Sequence, residues 1–331
     1  MKSLSLAIPD HSRRRLLALA LSLLAVGSAH AQTESTIVII GKDGWLFPAW
    51  ASLDDADAKA IDASTRLIAD AKTRLAARGV HLELLVLPDK VRFYEDRLPA
   101  GKTVNDSVRK RYETILGSLR KANIDALNAK TLFSDLRASG VDVYYRSDQH
   151  WTLAASDATA TAIAARIKQA VPKLAGEPGS GMPLGNVKRE RRYGDLADLF
   201  LPPEQRAAVG RETFTVRYAA ESLPLLDSGK APVHVTGHSM VQAYYGFPQK
   251  LSNGIDRPVT LNWKSGNVGP WVVLLEYLES ASFRDNPPQA LVWQMYEPVY
   301  GLGPQAEGQW NSASLMTPQQ WQARLQKALA R

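Results

Sequence analysis

The sequence predicts an α/β protein in which a mostly parallel β-sheet is covered by helices on both faces. Short apolar runs alternate along the chain with longer segments whose apolar residues recur at helical spacing. Repeated strand–helix–strand units of this kind are typical of parallel sheets with helical crossovers. The chain has neither an internal repeat nor a long linker, and its 331 residues are 45% hydrophobic, which is enough to form a large core.

The first elements follow directly after residue 31. Residues 36–40 form a β-branched run, residues 41–44 read Gly-Lys-Asp-Gly, and residues 45–47 resume the apolar pattern, so a hairpin is predicted here. Residues 54–78 carry apolar side chains at helical spacing and are predicted to form a helix. Residues 82–87 are predicted to form the next strand, because a continuous apolar run there ends at a proline.

The remaining elements alternate in the same way up to the C-terminal tail. We predict helices at residues 105–121, 128–138, 153–170, 240–251 and 271–280, and a polar helix from residue 318. We predict strands at residues 124–127, 141–145, 232–235 and 290–293. Residues 172–230 and 252–270 are expected to be less regular, since glycines and prolines interrupt them. One domain from residue 32 to residue 331 contains all of these elements.

Residues 1–31 are predicted to be an export signal. A basic start precedes an apolar run at residues 16–26 and the small-x-small pattern at residues 29–31, after which we expect cleavage. The three arginines at residues 13–15 fit a twin-arginine signal as well as an ordinary secretory one, and an uncleaved anchor is the third alternative. Four basic residues and one acidic residue give this segment +3 of the chain's net charge of +7. The mature protein therefore has a net charge of +4, and we expect a periplasmic protein with no nucleic-acid partner.

The composition restricts the chemistry. The chain has no cysteine, which excludes a disulfide scaffold, a cysteine-ligated zinc site and a thiol nucleophile. It also contains neither a P-loop nor a dinucleotide-binding glycine motif, and we predict no cofactor. Asp148 and His150 could ligate a metal ion, but no third or fourth ligand lies near them in the sequence, so no metal site is predicted.

Ser239 is the candidate nucleophile. It follows the strand predicted at residues 232–235, and Gly237 precedes it by two positions, as in turns that expose a serine hydroxyl at the start of a helix. The first backbone N–H groups of that helix would be free to bind an oxyanion. The second glycine of the α/β-hydrolase motif is absent, and Ser239 could equally serve as a helix N-cap.

His150 is the candidate base among the four histidines that remain after residue 31. Asp148 precedes it by two residues and is close enough to orient an imidazole, and the pair follows the strand predicted at residues 141–145. The alternative is that Asp148 caps the next helix and His150 lies on the surface. His234 is expected to pack in the core, and the basic run at residues 188–192 is expected either to be a solvated face or to steer a polyanionic substrate.

Six motifs follow one another along the chain. They are the segments 41–47 (GKDGWLF), 88–90 (PDK) with Tyr94 and Leu98-Pro99, 148–152 (DQHWT), 192–196 (RYGDL), 237–239 (GHS), and 275–280 (LEYLES) before 286–288 (NPP). In this order they make the chain similar, from about residue 36 to about residue 298, to the alginate O-acetyltransferase family, a branch of the SGNH-hydrolase-like proteins. The sequence departs from the pattern at Gln294, where an acid is expected, and at His238, where a smaller residue is commoner.

The resemblance implies an SGNH-hydrolase-like fold and a triad of Asp148, His150 and Ser239 in circularly permuted order. It implies a periplasmic O-acetyltransferase that transfers acetyl groups to an exported polysaccharide, alginate or a similar polymer, through an acyl-serine. Its expected partners are the polysaccharide acceptor, a membrane-bound O-acyltransferase that supplies acetyl groups, and other polysaccharide export proteins. A periplasmic carbohydrate esterase and a non-catalytic scaffold of an export complex remain as alternatives.

Three further residues are candidates for substrate binding. Tyr245 lies six residues after Ser239 and Tyr244 lies beside it, so one of them could stack on a sugar ring in the acceptor groove, or could simply pack in the core. Asn267 lies between two glycines and could supply a side-chain amide to the oxyanion hole.

Overall fold

A computed structural model describes residues 37–217 and 231–330 of the chain. The export signal predicted at residues 1–31 therefore lies outside the described residues. The segment Thr36–Arg331 forms one compact unit. None of the helices in the described ranges is long and apolar enough to cross a membrane.

The centre of the unit is a four-stranded parallel sheet, as the alternation of elements predicts. The strands of the described ranges are β1 (Val38–Ile40), β2 (Leu46–Pro48), β3 (His81–Leu87), β4 (Val187–Arg192), β5 (Glu212–Arg217), β6 (Val233–His238), β7 (Val259–Lys264) and β8 (Ala290–Tyr296). The sheet has the order β3-β8-β6-β7, and each neighbouring pair is parallel. The two central strands are buried at every position, which explains the nearly continuous apolar sequence of β8. Strand β6 instead carries two buried histidines and a buried threonine among its apolar residues.

Helices flank this sheet and complete an α/β fold. They are α1 (Ala58–Ala77), α2 (Val91–Tyr94), α3 (Asp106–Arg109), α4 (Arg111–Lys121), α5 (Ala129–Ala138), α6 (Leu153–Ala170), α7 (Asp195–Phe200), α8 (Pro203–Val209), α9 (Phe247–Ile255), α10 (Pro270–Leu278), α11 (Ala281–Asp285) and α12 (Pro318–Leu329). Strands β1 and β2 form the predicted hairpin, with antiparallel pairing from Val38–Pro48 to Ile40–Leu46.

Two of the predicted strands are absent. Residues 141–145 contain only one isolated bridge, between Tyr144 and Trp151, because the chain turns back on itself there: the N–H of Tyr145 donates to the carbonyl of His150. The N–H of Val143 donates to the Tyr94 hydroxyl instead of to a sheet neighbour. Residues 124–127 form a short connection between α4 and α5 rather than a strand.

Regular structure also occurs where loops were expected. The edge strand β7 lies inside the segment 252–270, and the antiparallel hairpin of β4 and β5 lies inside the segment 172–230. The basic run at residues 188–192 belongs to β4. Because most of its side chains are charged, the sequence showed no apolar pattern that would predict a strand there. The helix predicted at residues 240–251 is replaced by two 3-10 turns and then α9, because Gly246 adopts a φ of 81° and interrupts the helix.

A buried ionic cluster joins the C-terminal ends of β3 and β8. The carboxylate of Glu297 accepts hydrogen bonds from Arg92 (2.7 Å), from Arg111 (3.2 Å) and from the backbone N–H of Asp89 (2.7 Å). Arg111 also pairs with the Asp89 carboxylate at 2.7 Å. Because each buried charge has a partner, the cluster fixes the sheet edge from which the loops carrying the candidate site residues extend.

Candidate active site

Ser239 lies immediately after β6, at the first position of a 3-10 turn that covers Ser239–Val241. It is partly exposed, whereas the residues of β6 are buried. The side-chain oxygen of Gln294 on β8 accepts a hydrogen bond from the backbone N–H of His238 at 2.9 Å. A Cβ atom at Gly237 would lie 2.7 Å from that oxygen, so only glycine allows this close approach.

His150 contacts both other members of the predicted triad. Its Nε2 atom lies 2.7 Å from the Ser239 hydroxyl, and its Nδ1 atom lies 2.6 Å from a carboxylate oxygen of Asp148. Asp148 has no solvent exposure, and His150 is 1% exposed. When Nδ1 carries the proton that faces the carboxylate, Nε2 is free to accept the serine proton, as a general base must.

Asp148 stays ionised in this buried position. Burial would raise the pKa of its carboxyl group, but the charge and hydrogen bond of His150 outweigh burial and hold the pKa well below its usual value. Backbone N–H groups of His150 and Asp195 also donate to the two carboxylate oxygens, each at 2.9 Å. The negative charge is therefore available to stabilise a protonated imidazole.

A buried lysine supports the loop that carries Asp148 and His150. The ammonium group of Lys90 donates to the backbone carbonyls of Leu46, Arg146 and Asp148 at 2.6, 2.8 and 2.9 Å. Lys90 has no solvent exposure, and burial lowers its pKa to about 7. On the same loop, Glu212 of β5 accepts hydrogen bonds from the backbone N–H groups of residues 146 and 147.

Asp195 is a site residue whose role the sequence did not indicate. One of its carboxylate oxygens lies 3.4 Å from His150 Nδ1, and the other lies 3.3 Å from Arg192. Arg192 also approaches the Asp148 carboxylate at 3.6 Å. A Cβ atom at Gly194 would lie 2.4 Å from the backbone of Ser147, which explains why glycine precedes Asp195. The motif at residues 192–196 contains Asp195, but the sequence alone did not show that this residue lies near His150.

Asp148, His150 and Asp195 could also ligate a metal ion by position, since each offers one ligand atom within 4.8 Å of the others. Asp195, which is distant in the sequence, thus provides the third ligand that the residues next to Asp148 and His150 do not offer. Both imidazole nitrogens of His150 are already in hydrogen bonds, one to Asp148 and one to Ser239. A metal at this position would have to break the pairing with Asp148, so the donor set fits proton transfer better than metal binding.

The aromatic candidates occupy different positions. Tyr245 is 1% exposed, and its ring stacks on His150 with a centroid distance of 4.5 Å and an interplanar angle of 22°. Tyr245 thus matches the packing alternative, because the face that it turns to the imidazole is closed to a sugar. Tyr244 is partly buried, and its hydroxyl accepts from Arg192 and donates to Glu190.

The other polar candidates lie apart from these hydrogen bonds. Asn267 is exposed on the 3-10 turn Gly266–Val268, where its side-chain oxygen accepts from the Ser265 hydroxyl at 2.7 Å. His234 is buried in β6, as expected, and both of its ring nitrogens are hydrogen-bonded, to Thr260 and to Asn262. His238 is also buried, and burial lowers its pKa to about 4, so its imidazole is neutral.

Comparison with known proteins finds a matching family model and relatives that agree with it. Residues 38–297 match the family model described as an SGNH hydrolase-like domain of the acetyltransferase AlgX. The chain is 27% identical over 277 residues to a probable alginate O-acetylase AlgJ of Pseudomonas fluorescens, a match that covers 78% of this chain and 67% of that protein. It is also 27% identical over 242 residues to the alginate biosynthesis protein AlgX of the same organism, covering 68% of this chain and 48% of that protein.

Solved structures agree with the fold. The O-acetyltransferase domain of Pseudomonas putida AlgJ superimposes with a TM-score of 0.71 at 24% identity and covers 88% of this chain and 99% of that domain. Pseudomonas aeruginosa AlgX gives a TM-score of 0.58 at 18% identity, with 86% and 70% of the two chains covered. These structures confirm the predicted SGNH-like α/β fold, and the family model confirms the predicted acetyltransferase class. The chain belongs to the family of SGNH hydrolase-like acetyltransferases that the AlgX domain defines.

Proposed function

We propose that this protein transfers acetyl groups to hydroxyl groups of an exported polysaccharide, alginate or a similar polymer, through an acyl-Ser239 intermediate. The observation that carries the proposal is the continuous hydrogen-bonded series from Ser239 to His150 (2.7 Å) and from His150 to Asp148 (2.6 Å). The polymer is inferred from relatives that are named alginate O-acetylases.

The first half-reaction forms the acyl-enzyme. His150 Nε2 accepts the proton of Ser239 while the serine oxygen attacks the carbonyl carbon of the acetyl donor, and the proton then passes to the leaving group. Asp148 stabilises the imidazolium that exists between these transfers. Backbone N–H groups at the start of the turn Ser239–Val241 have no partner within the turn and can bind the oxyanion, an interaction worth about 10²–10³-fold in rate.

The second half-reaction returns the enzyme to its initial state. A sugar hydroxyl takes the place of the leaving group, His150 accepts its proton, and the sugar oxygen attacks the acetyl carbonyl. The bond to Ser239 breaks, and the proton on His150 returns to the serine oxygen. General-base assistance of this kind typically contributes about 10²–10⁴-fold.

The location and the source of acetyl groups are part of the proposal. The basic and apolar pattern of residues 1–31 supports export to the periplasm, where no pool of acetyl-CoA exists. A membrane-bound O-acyltransferase that passes acetyl groups across the membrane is therefore the partner that we infer. Other polysaccharide export proteins would deliver the acceptor.

Transfer and hydrolysis can be separated with the purified mature protein. We expect p-nitrophenyl acetate and alginate oligosaccharides to yield acetylated oligosaccharide in excess over free acetate. Ser239→Ala should lower transfer by at least about 10³-fold without unfolding the protein, because it removes the nucleophile and only one hydrogen bond, which a partly exposed side chain makes to His150. Ser139→Ala, which alters an exposed serine on another surface, is the matched control. Release of acetate alone by the wild type would identify an esterase, and transfer by Ser239→Ala would refute the mechanism.

A further inference from the structure

The antiparallel hairpin of β4 and β5 exposes a row of arginines. Arg189 and Arg191 of β4 are both exposed, and the residues opposite them on β5 are Thr215 and Thr213. Alternate residues of one strand point to the same face of a sheet, as do directly opposite residues of an antiparallel pair. These two arginines and two threonines therefore share one face of the hairpin, which we call the arginine face.

No carboxylate neutralises this row within residues 37–217 and 231–330. The side chains of Arg189 and Arg191 form no ion pair and no hydrogen bond with any of these residues. The two carboxylates of the hairpin occupy the alternate positions and lie on the opposite face. There Glu190 accepts a hydrogen bond from the Tyr244 hydroxyl at 2.9 Å, and Glu212 accepts from the backbone N–H groups of residues 146 and 147. The arginine face is thus a locally uncompensated positive surface, which attracts anions.

A third arginine lies at the end of the hairpin that leads to Asp195. Arg211 is exposed and directly precedes β5, and its guanidinium lies 5.1 Å from the centroid of the Tyr193 ring, which directly follows β4. Arg206 lies 5.3 Å from the same ring, but its charge is already paired with Asp198 at 2.8 Å. The cation–π contact holds Arg211 at the end of the hairpin without neutralising its charge.

The spacing of the arginines suits a ligand with repeated negative charges. Alternate residues of a strand are about 7 Å apart, so the side chains of Arg189 and Arg191 leave the arginine face at this separation. The Debye length at physiological ionic strength is about 8 Å, so a polyanion interacts with both charges at once. A guanidinium can also bind a carboxylate through two parallel hydrogen bonds. A polymer that carries a carboxylate on its sugar units has the matching chemistry.

The same hairpin ends at the catalytic residues. Arg192, the last residue of β4, lies 3.6 Å from the Asp148 carboxylate and 3.3 Å from that of Asp195. Its position alternates with that of Arg191, so it lies on the opposite face of the hairpin. A polymer that passes over the end of the hairpin can therefore contact the arginine face and Ser239 together.

We propose that the arginine face binds carboxylates of the acceptor polysaccharide and holds the polymer beside the active site. The inference rests on the proposed function, since it takes the bound polymer to be the acetyl acceptor. Arg189, Arg191 and Arg211 pair with carboxylates on different units, and the hydroxyls of Thr213 and Thr215 are available to the sugar hydroxyls. The face contributes to binding alone, because none of its groups touches the reacting atoms.

Removal of two charges tests the arginine face. Arg189→Gln/Arg191→Gln should weaken binding of a long alginate oligosaccharide by about tenfold at physiological ionic strength, as measured by calorimetry. Arg66→Gln/Arg120→Gln is the matched control: it removes two exposed arginines from helices α1 and α4, changes the net charge by the same amount and should leave the affinity unchanged. Carboxyl-reduced alginate, the same polymer without its charges, should bind equally to Arg189→Gln/Arg191→Gln and to the wild type.

Kinetic measurements separate this surface from the catalytic site. The KM for the long oligosaccharide should rise by about tenfold in Arg189→Gln/Arg191→Gln, whereas kcat and the rate of acylation by p-nitrophenyl acetate should not change. Equal alginate affinities of this variant and the wild type would overturn the inference, as would equal losses in the two double variants.

Two further outcomes distinguish the ligand and the function. If Arg189→Gln/Arg191→Gln loses binding to phosphatidylglycerol vesicles but keeps its alginate affinity, the arginine face is a membrane-binding surface and the inference is overturned. If the wild type binds alginate through these arginines but transfers no acetyl group, the proposed function fails and the polysaccharide-binding surface stands.

Discussion

Asp148 keeps a negative charge in a position that water does not reach, and its neighbours explain how. One carboxylate oxygen accepts from the backbone and ring of His150, and the other accepts from the backbone of Asp195. Tyr245 covers one face of the imidazole, so the ring of His150 is held by hydrogen bonds at its edge and by stacking on its face. The base is thus oriented toward Ser239 before any substrate binds.

The second carboxylate near His150 should assist catalysis by stabilising the protonated imidazole. Asp195→Asn removes a negative charge 3.4 Å from Nδ1, so the imidazolium formed during acyl transfer is less stabilised. We expect kcat/KM to fall by about tenfold, which corresponds to a loss of about 1.4 kcal/mol of transition-state stabilisation. Asp198→Asn, which alters an exposed carboxylate on the same helix α7, should leave kcat/KM unchanged. An unchanged or higher kcat/KM in Asp195→Asn would contradict this role.

At this scale the sequence reveals neighbours along the chain better than neighbours in space. Asp148 and His150 could be paired because they are two residues apart, and Ser239 could be proposed from the turn at the end of a strand. Asp195 could not be assigned, because it lies 45 positions after His150 in the sequence and its contact with Asp148 uses a backbone N–H. Every residue except proline has a backbone N–H, so the residue type does not show which backbone N–H makes such a hydrogen bond.

The loop at residues 146–150, which carries Asp148 and His150, is supported by one side chain of a different element. Lys90 follows β3 and reaches carbonyl groups on β2 and on the loop itself. Its ammonium also lies 5.1 Å from the centroid of the Trp45 ring, a distance at which cation–π attraction applies. The loop needs this support because it is not a strand of the sheet.

Replacing Lys90 should therefore affect both stability and activity. Lys90→Met preserves the volume of the side-chain stem but leaves two buried carbonyls and one partly buried carbonyl without this donor, each at a cost of about 1–3 kcal/mol. We expect the free energy of unfolding in urea to fall by at least about 3 kcal/mol, and kcat to fall in the protein that remains folded. Lys42→Met removes an exposed lysine that bonds a single carbonyl and should change stability by no more than about 0.5 kcal/mol. Equal stabilities of the two variants would contradict the account.

The elements that the sequence misplaced have different causes. Residues 141–145 have the apolar composition of a strand, but tertiary hydrogen bonds to Tyr94 and to the following residues satisfy their backbone. Strand β7 alternates strictly between apolar and polar residues from Val259 to Lys264, but glycines on either side of it favoured a loop prediction. The central strand β8, buried on both faces, could be recognised from its apolar run.

At the scale of the whole molecule, the parallel strands bring polar candidate residues together at one edge of the sheet. The carboxyl ends of β3, β6 and β8 carry Lys90, Ser239 and Glu297 respectively, as parallel sheets commonly place functional groups. The ionic cluster around Glu297 ties two of these ends together. The net charge of +4 expected after removal of residues 1–31 is compatible with an anionic polymer, and the absence of cysteine excludes a thiol nucleophile.

The central claim is that Ser239 carries the acetyl group between donor and acceptor. Intact-protein mass spectrometry of the mature protein, after brief exposure to p-nitrophenyl acetate, tests it most directly. The account predicts a mass increase of one acetyl group that maps to the peptide containing Ser239 and disappears when an alginate oligosaccharide is added, with acetylated oligosaccharide formed in its place. Acetylation at any other residue, or transfer to the oligosaccharide by protein that never acquires the acetyl group, would contradict the account.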